Sequence, residues 1–328
     1  MFQFIVQRIV WGIVTLLAIS LLSFTIIQLP PGDFATAYAA EQREMGALIT
    51  DAEMAQIREE FGLNDPFLVQ YLRWISGIVL KGDFGFSFAY KKPVSDLIWE
   101  RLGLTIMIST MTIGFVWIVA IPVGVYSATH QYSLADYILT FLGFAGRAFP
   151  NFMLALILMW VGFAYLKLDV SGLFSPDFRA APWNLAKVWD MIKHLWVPII
   201  VLGTDGTAGL IRIMRANTLD ELPKPYVETA RAKGLSETKV ILKYPVRVAL
   251  NPFISGLAYL LPSIVSGAVI TAVVLNLPTT GPLFLSALLL QDMYMAGAFV
   301  LVLSSLTIFG TVISDILLAW VDPRIRYR

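Results

Sequence analysis

Six apolar runs, each close to the length an α-helix needs to cross a hydrocarbon layer, dominate this 328-residue chain. They are Ile9 to Leu29, Leu104 to Ser127, Tyr137 to Leu166, Trp196 to Ile213, Pro252 to Leu275 and Ala296 to Val321. Roughly 20 apolar residues span a bilayer as a helix, so the expected fold class is an all-α membrane protein with six transmembrane helices. Composition agrees, because only 14% of the residues are Asp, Glu, Lys or Arg, against about 25% in soluble domains. The first run, with Arg8 before it and Ala37-Tyr38-Ala39 after it, has the outline of a signal peptide. It exceeds the ~7–15 apolar residues of a cleavable core, and an uncleaved anchor is expected.

The positions of Lys and Arg orient the spans, since short cytoplasmic loops carry the excess. Between Arg212 and Arg247 lie eight basic residues against the four acids Asp220, Glu221, Glu228 and Glu237, whereas Asn276 to Met295 has no Lys or Arg. The basic loop is therefore placed in the cytoplasm, and six spans put both termini there too. The expected layout is a first span over 1–30, an extracytoplasmic helical segment over 31–101, and five further spans over 102–328 that include a cytoplasmic loop at 217–250. Lys167 to His194 forms the other long outer segment. Within the first, Thr50 and Glu53 make a capping box for a helix reaching Phe61, and Gly62 supplies a left-handed stop. A second helix begins near Asn64-Asp65-Pro66, with proline at its first position. Its apolar residues from Phe67 to Val79 recur at helical spacing, so it should lie against the membrane or the bundle rather than cross it.

Charges inside spans cost about 2.5–3.5 kcal/mol at the bilayer centre, which makes Arg147, Asp205 and Asp315 informative. Arg147 precedes Pro150 in a run too long for one straight span, and Asp205 lies among Gly203, Gly206 and Gly209. Both point to a kinked or closely packed interior; Arg147 and Asp205 either line a polar cavity or only pair within the bundle. Asp315 is expected to snorkel or pair near the cytoplasmic end. Tryptophans such as Trp11, Trp160, Trp196 and Trp320 suit the membrane interfaces.

Several chemistries are excluded. The chain has no cysteine and only two histidines, His130 and His194, so it offers no disulfide, no thiolate zinc site and little acid–base chemistry. A net charge of +1 gives no electrostatic case for nucleic acid. Asp83-Phe84-Gly85 matches the kinase magnesium tripeptide, but no glycine-rich loop or His-Arg-Asp motif accompanies it. No Gly-Lys dipeptide occurs, so there is no phosphate-binding P-loop. No catalytic or metal site is expected, and the chain is not read as an enzyme.

The basic loop holds a distinct element. Glu228 to Lys233 follows Pro225-Tyr226 and forms a short helix closed by Gly234, which is free to take the left-handed conformation. Ser236 then caps a second helix with Glu237 in its first turn and an apolar stripe of Val240, Ile241 and Tyr244, which Pro245 interrupts. The result is a bent protrusion flanked by Arg231, Lys233, Lys239 and Lys243. These residues suit docking into a groove of another protein and equally suit lying on anionic membrane lipid.

Tyr226-Val227-Glu228-Thr229-Ala230-Arg231-Ala232-Lys233-Gly234-Leu235 resembles the EAA loop of bacterial ABC importer permeases, in the dipeptide, oligopeptide and nickel branch. The resemblance covers nearly the whole chain. It includes Arg8-Ile9 with Pro31-Gly32-Asp33, Phe61-Gly62-Leu63-Asn64-Asp65-Pro66 with Gln70-Tyr71, Gly82-Asp83-Phe84-Gly85 and Asp322-Pro323-Arg324-Ile325-Arg326. It implies the type I importer permease fold in a bacterial inner membrane, with the elbow inserted into a cleft of an ATPase subunit. Glu228, Thr229, Ala230, Arg231, Lys233, Gly234 and Leu235 are then the coupling residues, and Arg147 and Asp205 the candidate substrate-pathway residues. A second homologous permease, two ATPases that use ATP and Mg, and an extracytoplasmic binding protein are implied partners, with no cofactor bound by this chain. Two segments depart from the peptide-permease pattern, Tyr244-Pro245-Val246-Arg247 and Asn276 to Pro282; the second resembles branch members that carry oligosaccharides. The rival is a stand-alone proton-coupled carrier in which Arg147 and Asp205 form a relay.

Overall fold

A computed structural model of the chain describes residues 2–28, 32–44, 49–60, 62–87, 89–167, 171–256 and 269–321. Among these, three helices are long and apolar enough to cross a membrane, and up to five spans result if each of two bent pairs is counted as one. The three are in α1 (Phe2–Gln28), α5 (Val94–Thr129) and α15 (Met293–Val321). The first bent pair is α6 (Leu134–Ala148) with α7 (Asn151–Leu166), which meet at 103°; the second lies within α9 (Leu185–Glu221), which bends by 53° around position 205. Of the six runs, the fifth, Pro252 to Leu275, falls largely on residues 257–268, outside the described residues.

Proline accounts for the first break. Phe149 is extended (φ −95°, ψ 136°) and Pro150 caps the next helix, as expected where the proline ring crowds the preceding residue out of helical space. The other spans are longer than their apolar runs. Helix α9 starts at Leu185, where the Asn184 Oδ1 accepts from the Lys187 N–H at 2.8 Å, so the end of the expected outer segment, Leu185 to His194, is helical and continuous with the span. Helix α5 likewise begins at Val94, before the apolar residues do.

By contact the chain divides into two compact units. One holds Phe2–Thr105 with Thr279–Ile308. Within it lie α2 (Phe34–Glu44), α3 (Asp51–Glu60), α4 (Phe67–Lys81), the two-residue strands β1 (Phe86–Ser87) and β2 (Lys92–Pro93), and α14 (Thr280–Leu289). The capping box forms: the Thr50 N–H donates to Glu53 Oε2 at 2.8 Å and the Glu53 N–H to Thr50 Oγ1 at 3.3 Å. Gly62 has φ +62°. Pro66 is the N-cap of α4 rather than its first helical residue. One face of α4 packs on the bundle, with Trp74 stacked 5.6 Å from Phe24 of α1 and the Tyr71 hydroxyl bonded to Ser20 Oγ at 2.9 Å; Leu68, Leu72 and Val79 on α4 are exposed. Asp292 is fully buried and accepts from the Ser87 hydroxyl at 2.6 Å, the Ala89 N–H at 3.3 Å and the Met295 N–H at 3.2 Å. These donors replace water that the carboxylate loses, and they tie the β-hairpin to the start of α15.

The other unit holds Ile106–Pro278 and the chain from Phe309 onward, including α8 (Pro176–Arg179), α10 (Pro225–Ala232), α11 (Glu237–Lys243), α12 (Pro245–Ala249) and α13 (Val269–Val274). Lipid tails are as apolar as leucine, so helices here associate by close approach rather than by hydrophobic burial. Gly124 of α5 is such a point: a Cβ there would sit 2.5 Å from Met214 Cβ and 2.9 Å from the Ile211 carbonyl of α9. Gly124→Leu is therefore expected to force α5 and α9 apart and leave little monodisperse protein after detergent extraction, measured by size-exclusion chromatography; a normal yield would show that the contact is dispensable.

Candidate functional site

Two short helices joined at a glycine form the loop after α9. Pro225 occupies the first turn of α10, and Gly234, at φ +75°, lets the chain turn back after Lys233. The angle between α10 and α11 rests on a small core: Val227 and Ala230 pack on Val240, all at 2% exposure or less, with Leu235 and Tyr244 at the edge. Ala230 is thus small because it faces the other arm. Glu228, Thr229, Arg231, Lys233 and Gly234 are exposed. Thr229 donates its hydroxyl to the Pro225 carbonyl at 2.8 Å, which leaves Glu228 as the acidic group in the exposed first turn of α10.

Ser236 sits at the N-cap of α11 in extended geometry, but its side chain makes no capping hydrogen bond. The polar link is made by Arg231 instead, which donates to Glu237 Oε1 through Nη2 at 2.7 Å and to Oε2 through Nε at 3.1 Å. The Arg231 hydrogen bond holds the Glu237 carboxyl below the usual carboxylate range and raises the guanidinium in turn. The pair is consequently intact at neutral pH and is lost only as acid protonates Glu237. At the other end of α10, Tyr226 donates its hydroxyl to the Glu221 carboxylate, and burial followed by this bond pushes the phenol up to about 12.

The elbow is joined to the spans. Pro245 does not merely interrupt α11; it opens α12 at a position where a proline costs no hydrogen bond. Val246 and Ala249 of α12 and Phe253 form one cluster with Ala120 of α5 and Met214 of α9, and Ile241 of α11 packs against it. The end of the elbow is therefore in packed side-chain contact with α5 and α9.

A family described as "Binding-protein-dependent transport system inner membrane component" matches residues 120–327, and its N-terminal companion, "Binding-prot-dependent transport system membrane comp, N-term", matches residues 1–109. The chain belongs to this family. Relatives agree over full length. "Oligopeptide transport system permease protein AppB" of Bacillus subtilis (strain 168) is 38% identical over 329 residues, covering 100% of both chains. "Oligopeptide transport system permease protein OppB" of Haemophilus influenzae is 32% identical and "Dipeptide transport system permease protein DppB" of Escherichia coli (strain K12) 30% identical, each again covering 100% of both chains. This is a multi-pass inner-membrane permease subunit of an ABC transport system, not an enzyme in itself, and the stand-alone carrier is set aside.

In this permease Arg147 is exposed in the last turn of α6. Asp205 lies at the bend of α9, and its side chain is outside the described residues. The two helices cross next to both positions, since a Cβ on Gly146 would lie 2.4 Å from the Thr204 methyl. Asp315 is half-buried near the end of α15. Sequence reasoning missed an ion pair closer to the elbow: the buried Asp136, 3% exposed, accepts from Nη2 of the half-buried Arg215 at 3.3 Å and from the Tyr132 N–H at 3.1 Å. The pair borders a cavity of about 430 Å³ between α6 and α9, whose walls include Tyr137, Phe141 and Arg212. The spacing Ser133-x-x-Asp136 marks only the first turn of α6, where Ser133 Oγ accepts from the Asp136 N–H at 3.1 Å as a helix N-cap, and not the partner Arg215.

Proposed function

We propose that this permease and a second, homologous permease form the pathway of an ATP-driven importer of short peptides. Its six spans place both termini and the 217–250 loop in the cytoplasm. Each permease elbow docks in a cleft of one of two ATPase subunits, which use ATP and Mg, while an extracytoplasmic binding protein loads the pathway. Glu228, Lys233 and Gly234 face the cleft; Val227, Ala230 and Leu235 keep the elbow in shape; Arg147 and Asp205 border the pathway. The single observation that carries this reading is the elbow itself, bent at Gly234 and packed through α12 onto α5 and α9. Motor closure shifts the inward and outward states only if the docked elbow differs in stability between them.

Support for peptides comes from the relatives, whose names specify oligopeptide and dipeptide transport and not oligosaccharides. The departure at Asn276 to Pro282 carries less weight for substrate than its sequence suggests, because Leu277, Thr279, Thr280 and Gly281 are buried and so answer to packing.

Topology gives a direct test. The chain has no cysteine, so Ser236→Cys introduces a single exposed thiol on the elbow. A membrane-impermeant maleimide is expected to label it in inverted vesicles and not in intact cells; labelling from outside would overturn the docking of the elbow on ATPases. For substrate, the cognate binding protein is expected to be thermally stabilised by di- to pentapeptides and not by malto-oligosaccharides, and the reverse result would reject peptide import.

A further inference from the structure

We propose that Arg231 and Glu237 are a positioning pair: they fix the angle of the elbow, and coupling to the motor depends on that fixed angle rather than on either charge touching the partner. The inference rests on the docking role proposed above and adds Glu237, which lies outside the EAA resemblance.

The geometry argues for it. Arg231 stands in the last turn of α10 and Glu237 in the first turn of α11, on opposite sides of the left-handed Gly234. Two guanidinium nitrogens meet two carboxylate oxygens, at 2.7 and 3.1 Å, with a third approach of 3.2 Å from Nε to Oε1. A forked contact of this kind restricts orientation as well as distance. The core beneath it is only Val227, Ala230 and Val240 with two partly buried neighbours, too small to resist torque about a glycine by itself. An exposed pair adds little to folding stability. A lever, however, must not yield at its joint. The pair adds a second link between α10 and α11 beside that core, and Tyr226 bonded to Glu221 ties the other end of α10 to α9. Loss of the pair would let motor closure bend the elbow instead of moving α5 and α9.

The absence of native cysteine makes the test clean. Arg231→Gln, Glu237→Gln and the double variant Arg231→Cys/Glu237→Cys are assembled with cysteine-free partner subunits in proteoliposomes. The readout is ATP hydrolysis evoked by the binding protein loaded from a mixture of short peptides. Each variant is expected to assemble normally and to lose roughly fivefold of this evoked activity. Bridging the two cysteines with a short bismaleimide is expected to restore it to within about twofold of wild type, since a covalent strut replaces the ion pair without its charges. Wild-type activity in both glutamine variants overturns the proposal, and so does failure of the bridge to restore activity, which would assign the charges to direct partner contact. Gly234→Leu in the same assay tests the docking role separately: if it too behaves as wild type, the docking reading fails and not merely the clamp.

Discussion

Gly234→Leu is expected to leave the chain inserted in the membrane and to lower solute transport by about tenfold or more. Gly234 adopts φ +75°, where a side chain costs about 1–2 kcal/mol. Within the chain itself a Cβ at this position meets nothing within 4 Å, so local crowding is not the source of the effect. Two costs remain, backbone strain and bulk in the partner cleft, and a substitution series separates them. Alanine carries the strain with almost no bulk, asparagine tolerates the left-handed region and therefore carries mainly bulk, and leucine carries both. The expected order of transport is glycine, then alanine and asparagine at a few-fold loss, then leucine. Co-purification with the ATPase subunit should follow that order. Wild-type transport in the leucine variant would remove the elbow from the mechanism.

How far the sequence could be read depended on the range of the interaction. Gly62 and Gly234 were legible as turns because the left-handed conformation is a property of single residues, and both have positive φ. The Thr50 and Glu53 box was legible because its partners stand three residues apart. Span ends were less so. Hydropathy marks where a helix leaves the hydrocarbon and not where its hydrogen bonds stop, so α5 and α9 extend about ten residues before their apolar runs, as Val94 and Leu185 show. Contacts between residues far apart in sequence were mostly hidden. Ser87 meets Asp292 across 205 positions and Asp136 meets Arg215 across 79; no local periodicity announces either. Arg231 and Glu237 are only six apart, but their meeting depends on the turn at Gly234, so neither residue type nor spacing marks it. The substrate class was illegible for a different reason: a permease loaded by a separate receptor, as proposed above, need not carry the recognition chemistry in its own sequence.

The pair at the root of α6, a buried Asp136 with a half-buried Arg215, supplies the second large effect, and here the expected result runs against simple residue counting. Arg215→Ala is expected to destabilise the permease by about 3 kcal/mol, because it strands the Asp136 carboxylate, whose side chain is 5% exposed, beside α9. Asp136→Ala should cost less, since the Arg215 side chain is 31% exposed and can reach water. The double variant Asp136→Leu/Arg215→Met should recover most of the loss: it removes both charges, fills the space beside the cavity wall, and sacrifices one donated bond from the Tyr132 N–H. Heat-induced loss of monodisperse protein in detergent ranks the four chains. If Arg215→Ala and Asp136→Ala were equally mild, the pair would be solvated in the membrane and irrelevant to packing. If the double variant were worse than either, the charges themselves would be needed to hold α6 against α9, and the cavity between them would depend on that ion pair for its shape.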